Sequence, residues 1–190
     1  MQSAAPENAT CPPDPGSDIR LPDLEADCSR CAALCCVAYP FDQHEDFGLS
    51  KDTDSVCPNL GKGFGCTIHA DLANSGFRGC VAYSCAGAGQ RVTQALFGGE
   101  TWRDDPDLLP HMTHALRVLR PIHEALLILQ EAAALPLPDA LQDECRSIMS
   151  ALCPDNPDSV WDFEDESVQN ALAGLPRFAE KLAPYHKSLR

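Results

Sequence analysis

Hydrophobic side chains follow a helical period in the second half of the chain, from about residue 106 onward. The stretch PHMTHALRVLRPIHEALLILQEAAAL carries an apolar residue at every third or fourth position. These residues are Met112, Ala115, Leu116, Leu119, Ile122, Leu126 and Leu129. Such spacing predicts one amphipathic helix with a single apolar stripe. Pro121 lies inside it, and we expect this residue to kink the helix or to split it.

Prolines divide the rest of the chain into shorter predicted helices. One opens at Pro138, a residue type favoured in the first turn of a helix. Its apolar stripe consists of Leu141, Cys145, Ile148, Met149 and Leu152. Beyond Pro154 and Pro157, the pattern predicts a short acidic helix at about 163–173 and a final helix from Pro176. Residues 106–190 are therefore expected to form a helical hairpin or bundle.

Four other conspicuous side chains are interpreted as packing residues. Cys145 lies on an apolar stripe, and Cys153 stands near the end of the same helix, so both are expected in the core. Trp102 and Trp161 are expected to anchor the two halves of the protein to each other.

The first half of the chain lacks this periodicity. Residues 1–24 are rich in proline, aspartate and small polar residues and are predicted to form a flexible arm, so Cys11 is left out of any site. Residues 25–105 are loop-rich and glycine-rich and hold eight of the eleven cysteines. Few long apolar runs are available there to build a core, and bonds from thiolates to metal can supply the missing cohesion. We predict a mainly α protein, with a cysteine-rich metal-binding domain (25–105) and a helical region (106–190) packed on it.

The charge of the chain narrows the set of partners. It has 28 acidic against 14 basic residues, a net charge of -14, which repels nucleic acid and anionic membrane surfaces. No stretch approaches the roughly 20 apolar residues of a membrane helix. The N-terminus lacks the basic start and apolar core of a signal peptide, so we expect a cytoplasmic protein. A protein is the kind of partner that we expect, and it would bind through the helical tail.

Cytoplasmic placement favours metal binding over disulfides as the role of the cysteines, and an odd total of eleven also fits pairing poorly. The segment CSRCAALCC holds Cys28, Cys31, Cys35 and Cys36. The first three stand at i, i+3 and i+7, so on a helix, favoured by residues 32–34, they share one face. The adjacent pair Cys35 and Cys36 is expected to face two centres, or one centre and the core.

More distant cysteines must complete the coordination. These are Cys57, Cys66, Cys80 and Cys85. Because tetrahedral thiolate sites and iron–sulfur clusters each take four cysteines, eight thiols fit two four-ligand centres, or one centre with the others partly or not ligating. His69, three residues after Cys66, is a possible further ligand or a donor behind the ligands. The glycines after Cys85 suggest close approach of the backbone to sulfur.

A second possible ligand set is weaker. His111 and His114, together with Asp107, could bind a metal near the start of the long helix. Such a pair is more often a solvated helix face, which is our interpretation here.

The order C-x2-C-x3-C-C, C-P-N-L, C-x-I-H and C-x4-C resembles the CxxCxxCC, or YkgJ-like, zinc- or iron-chelating domain family. Flagellin lysine N-methylases carry a related domain. The tract GFRGCVAYSCAGAGQRVTQALFGGETW is more similar still to the cysteine-rich domain that precedes pentapeptide repeats in some actinobacterial proteins. The resemblance covers residues 28 to about 130 and implies a metal- or cluster-binding domain. Its implied ligands are Cys28, Cys31, Cys35, Cys36, Cys57, Cys66, Cys80 and Cys85.

Three functions follow as hypotheses. The first is a protein that binds one or two iron–sulfur clusters and works in electron transfer or in a redox enzyme. The second is a zinc-stapled interaction module without catalysis. The third, suggested only by the methylase kinship, is an enzyme that modifies a protein or peptide. Whether the protein is an enzyme is left open.

Overall fold

The computed structural model describes residues 19–155, 157 and 159–185, and this part of the chain is mainly helical. Its α-helices are α1 (Cys35–Ala38), α2 (Arg78–Ala82), α3 (Ala88–Arg91), α4 (Leu109–Ala133), α5 (Asp139–Leu152) and α6 (Glu166–Leu182). A π-helical turn, Val92–Leu96, continues α3. Extended pairing within the described ranges is limited to three isolated bridges, Phe41 with Lys51, His44 with Phe47, and Leu60 with Cys66. The predicted mainly α class is confirmed.

Helix α4 is the centre of the hydrophobic core. The predicted stripe is completely buried, and its members are Met112, Ala115, Leu116, Leu119, Ile122, Leu126 and Leu129. The helix contacts α1, α3, α5 and α6 along this stripe. It runs unbroken through Pro121, which is exposed to solvent. On that face water can satisfy the carbonyl that has no N–H partner, so the proline does not split the helix.

Helices α5 and α6 close the core on the other side of α4. Helix α5 follows Pro138 as predicted, and Cys145 is fully buried in the core. The predicted pair of helices at the C-terminal end is wrong, because α6 is one helix that contains Pro176. Pro176 is exposed, and the burial of Val168 and Phe178 holds the helix against the core on both sides of it.

The two tryptophans differ from each other. Trp161 is 70% exposed, so the prediction of a core anchor is wrong there, and the neighbouring Phe163 is the buried residue. Trp102 is half-buried against the core, and its indole N–H donates to the carbonyl of Ala32 at 2.7 Å. Trp102 therefore does join the cysteine-rich segment to the rest of the protein.

The cysteine-rich loops and the helical region share one hydrophobic core. Ala32, Leu34, Ala38 and Ala88 belong to the same buried cluster as the stripe of α4. Residues 19–24 of the predicted arm also pack against this cluster, through apolar side chains. Cys11 lies outside the described residues. None of the described helices combines the length and apolar character needed to cross a membrane.

A candidate metal centre

The eight predicted cysteines line one cavity of about 530 Å³. They come from three stretches of chain, at 28–36, 57–66 and 80–85, and His69 lines the same cavity. All ten cysteines in the described residues are free thiols. The structure thus brings the predicted side chains together, and their binding of a metal stays a prediction.

The segment at 28–36 is not the single helix that we expected. Cys28 begins a short 3-10 turn, and Cys31 is extended, with φ of -116° and ψ of 139°. Ala33 then takes a left-handed conformation, with φ of 53°, before α1 begins at Cys35. The interpretation of three sulfurs on one helical face is therefore wrong. The sulfurs meet through tertiary folding of an irregular segment.

Hydrogen bonds from α3 and its π-helical turn hold this segment in its irregular form. The side chains involved are those of Gln90, Thr93 and Gln94, and they bind backbone groups of residues 25–32. Gln90 accepts one hydrogen bond at 3.0 Å and donates another at 2.6 Å. Thr93 accepts at 3.1 Å, and Gln94 donates at 2.8 Å. We call these three side chains the polar clamp. It replaces the hydrogen bonds that a helix would have made within the segment.

Gly89 brings the backbone of α3 directly against two sulfurs. A Cβ added at this glycine would lie 2.7 Å from the Sγ of Cys31 and 3.6 Å from the Sγ of Cys85. The close approach of glycine backbone to sulfur, expected from the sequence after Cys85, is therefore found at Gly89. Only glycine leaves room for the Cys31 sulfur at this point.

Burial and neighbouring thiols raise the pKa of three cysteines of this irregular segment. Burial raises the pKa of Cys28, and negative charge on Cys85 and Cys36 raises it further. Burial also raises the pKa of Cys31 to about 11, with a smaller contribution from Cys85. The pKa of Cys35 is raised by its hydrogen bond to Cys36, by burial, and by Cys36, Cys31 and Cys85. A bound cation would relieve this repulsion and favour the thiolates.

Neighbouring thiols, with Cys36 among them, also raise the pKa values of Cys57 and Cys80. Burial raises the pKa of Cys57, and Cys36 and Cys66 raise it further. Burial raises the pKa of Cys80 to about 11, helped by Cys36, Cys57 and Cys66. A backbone hydrogen bond also joins two of these cysteines, because the N–H of Cys57 donates to the carbonyl of Cys36 at 3.0 Å. Cys66 forms an isolated antiparallel β-bridge with Leu60. The N–H of Leu60 donates to the carbonyl of Cys57 at 3.0 Å.

A buried lysine stands beside this second set of thiols. Lys51 is only 7% exposed, and its Nζ donates to three backbone carbonyls at 2.8, 3.0 and 2.8 Å. After the hydrogen bond from Cys35, the positive charge of Lys51 is a further cause that lowers the pKa of Cys36. Sequence reasoning missed this residue, because its surroundings, LSKDTDS, have the composition of an exposed polar loop.

A buried histidine braces the loop that follows Cys85, and it too was missed. His123 is fully buried in α4, with its Nδ1 2.6 Å from the carbonyl of Ala86 and its Nε2 3.2 Å from Arg91. Burial, and then the charge of Arg91, lower the pKa of His123 to about 4. The ring is therefore neutral, with Nδ1 donating to Ala86 and Nε2 accepting from Arg91. The position of His123 on the apolar stripe of α4 was the sequence signal that could have indicated its burial.

Aromatic side chains complete the cavity wall. Phe41 and Phe47 stack with their ring centroids 4.4 Å apart, and Tyr39 and Tyr83 lie 5.8 Å apart. All four line the cavity beside the thiols. They lower the local dielectric constant around the sulfurs.

The spacing of possible ligands is the test of fit to a metal. Among the residues that the structure describes, no three His, Cys, Asp or Glu side chains are already spaced as ligands of one ion. This holds for the alternative set of His111, His114 and Asp107, and His114 instead pairs with Glu164 at 3.2 Å. The eight thiols line the walls of a cavity, an arrangement with room for a polynuclear group. Holding a single ion requires the thiol side chains to rotate toward one point.

The fold and the cavity define a mainly α protein with eight clustered free cysteines. Among curated proteins, the chain is similar to the uncharacterized protein YybG of Bacillus subtilis (strain 168), with 41% identity over 125 residues. The match covers 66% of this chain and 45% of that protein, so the chain spans less than half the length of this relative. No family model and no solved structure matches the chain. The resemblance to YkgJ-like domains stays a prediction.

Proposed function

We propose that the protein binds an iron–sulfur cluster, as one or two centres, through its eight clustered cysteines, and that it serves in electron transfer or in a redox enzyme. The observation that carries the proposal is the assembly of eight free thiols on one cavity from three stretches of chain. Free thiols of this density suit the reducing cytoplasm, where soft thiolate ligands select zinc and iron–sulfur clusters.

The spacing of the thiols supports a cluster over a single ion. A polynuclear cluster holds its cysteine sulfurs farther apart than one zinc ion does, and no three possible ligands among the described residues are spaced for one ion. The backbone of Gly89 against two sulfurs and the aromatic wall provide the close, low-dielectric surroundings in which clusters are stabilised and their potentials are set.

The buried charge of Lys51 supports the same proposal. A cluster with four thiolate ligands carries net negative charge, and the chain as a whole is already at -14. Burial lowers the pKa of Lys51, but negative charge on Cys57 and Cys36 acts against this, and the ammonium beside these two thiols offsets part of that repulsion.

Purification under oxygen-free conditions tests the proposal. We expect a brown protein with broad sulfide-to-iron absorption, acid-labile sulfide equal to iron, and an electron paramagnetic resonance signal that changes on reduction. The same protein exposed to air serves as the control and should bleach. Colourless protein with stoichiometric zinc and no sulfide would contradict the cluster.

A zinc-stapled interaction module is the second candidate, and exposed apolar side chains on the helical region favour it. Ile128 is 56% exposed on α4, and Trp161 is 70% exposed before α6. Both give a protein partner something to bury. This function predicts that a chelator unfolds the protein. It also predicts that the metal-bound protein shows no reversible oxidation or reduction.

A further inference from the structure

We propose that the eight cysteines form two separate four-thiolate metal sites, with a defined membership. This inference rests on the proposed metal binding and adds which sulfurs belong together. The first group is Cys28, Cys31, Cys35 and Cys85. The second group is Cys36, Cys57, Cys66 and Cys80.

The first group is assembled by α3. The polar clamp fixes residues 25–32 against this helix, and Cys85 stands just before it. Gly89 then lies between the sulfurs of Cys31 and Cys85, at 2.7 and 3.6 Å from its ideal Cβ position. Cys28 begins the 3-10 turn that Cys31 directly follows, and the N–H of Cys31 donates to the carbonyl of Cys28 at 3.4 Å.

The second group is assembled by a different part of the chain. The backbone contact between Cys57 and Cys36 ties the loop at 57–66 to α1, and the bridge of Leu60 to Cys66 folds that loop back on itself. Cys80 comes from α2, whose Gly79 packs on the ring of Phe47 in the cavity wall.

Cys36 marks the border between the sites. Its side chain lies beside the thiol of Cys35, the adjacent residue, while its carbonyl accepts from the N–H of Cys57 at 3.0 Å. The Nζ of Lys51 donates to the carbonyls of Val37 and Ser55, next to Cys36 and near Cys57 in the chain, and so lies beside the second group. If Cys36 served the first group, His69, on the same cavity, would have to complete the second.

Paired serine variants of the full-length protein test the membership. Cys31→Ser with Cys85→Ser removes two ligands of the first group, and Cys57→Ser with Cys66→Ser removes two of the second. We expect each pair to halve the metal content of oxygen-free protein, and Cys85→Ser with Cys66→Ser to lose nearly all of it. Cys153→Ser, outside the cavity, is the matched control with full metal content. Loss of all metal in both within-group variants would overturn the two-site assignment.

A wild-type measurement keeps the test independent of folding in the variants. Partial removal of metal by a chelator, alkylation of the exposed thiols and fragmentation of the intact protein in a mass spectrometer identify which cysteines are released together. Molecules alkylated at four of the eight cavity cysteines should carry either the first group or the second group. Mixed sets, or a set in which Cys36 is released with the first group, would overturn the membership while leaving metal binding intact. Wild-type protein without sulfur-bound metal would instead overturn the proposed function itself.

Discussion

A methyl group added at Gly89 tests the contact between α3 and the thiols most locally. In Gly89→Ala the new Cβ lies 2.7 Å from the Sγ of Cys31, whereas ordinary contact begins at 3.4 Å, so the sulfur must retreat by about 0.7 Å. The side chain of Cys31 is short, and rotating it away removes the sulfur from the first group. We therefore expect Gly89→Ala to lose much of its metal while the metal-free protein still folds.

The stability change combines two opposing effects. Alanine is favoured over glycine inside a helix by about 0.5–1 kcal/mol. Overpacking a tight contact costs about 1–3 kcal/mol. The free energy of unfolding of the metal-free form should thus fall by about 0–2.5 kcal/mol. Metal content should fall by about half, since one of two sites is affected.

Gly174→Ala is the matched control. Gly174 lies inside α6 with nothing within 4 Å of its ideal Cβ position, so only the helix preference operates there. We expect a gain of about 0.5–1 kcal/mol and full metal content. Urea denaturation followed by circular dichroism, with and without a chelator, gives both stabilities, and elemental analysis gives the metal. If Gly89→Ala matched Gly174→Ala in stability and metal content, the close approach to sulfur would be refuted.

Three further substitutions probe the supports of the cavity. Gly87→Ala places a Cβ against a packed backbone carbonyl at φ of 79°, and should cost about 2–5 kcal/mol in thermal denaturation. Gly98→Ala has positive φ but open space, so an equal loss there would show that the carbonyl contact is unimportant. The pKa of His123 is about 4 in the folded protein against 6.5 in the unfolded chain, so the unfolded chain binds the proton more readily. The free energy of unfolding is therefore unaffected above pH 6.5 and falls by up to about 3 kcal/mol as the pH drops toward 4. His123→Gln should flatten that part of the pH profile of unfolding, and an unchanged slope would disprove the assignment. Lys51→Met leaves three carbonyls without their donor and should cost about 1–3 kcal/mol in urea, whereas Lys62→Met, at an exposed position, should have little effect.

The long helices could be predicted because their burial repeats along the chain. The stripe from Met112 to Leu129 and the start of α5 after Pro138 follow from period and proline alone. The continuation of α6 through Pro176 could not, because it depends on which face the proline presents to solvent. The exposure of Trp161 likewise depends on Phe163 occupying the core.

The cysteine segment shows the limit of local reasoning about the site. Helix-favouring residues and i, i+3, i+7 spacing predicted a helix, yet Ala33 is left-handed. Hydrogen bonds from Gln90 and Thr93, more than 60 residues away in sequence, outweigh the local preference. The grouping of all eight thiols on one cavity was still predictable, because it rests on residue type and number.

The burial of Lys51 could not be found from residue type, and that of His123 was indicated only by its place on the apolar stripe of α4. Lys51 is buried because three carbonyls converge on its Nζ, and His123 because Ala86 and Arg91 satisfy both ring nitrogens. Such burial depends on distant backbone positions that sequence patterns do not contain.

X-ray absorption at the edge of the metal that copurifies with oxygen-free protein examines thiolate binding most directly. Binding through the eight cysteines predicts a nearest shell of sulfur atoms around every metal, with iron neighbours in addition if the group is a cluster. A shell dominated by nitrogen and oxygen, or no metal retained at all, would contradict it.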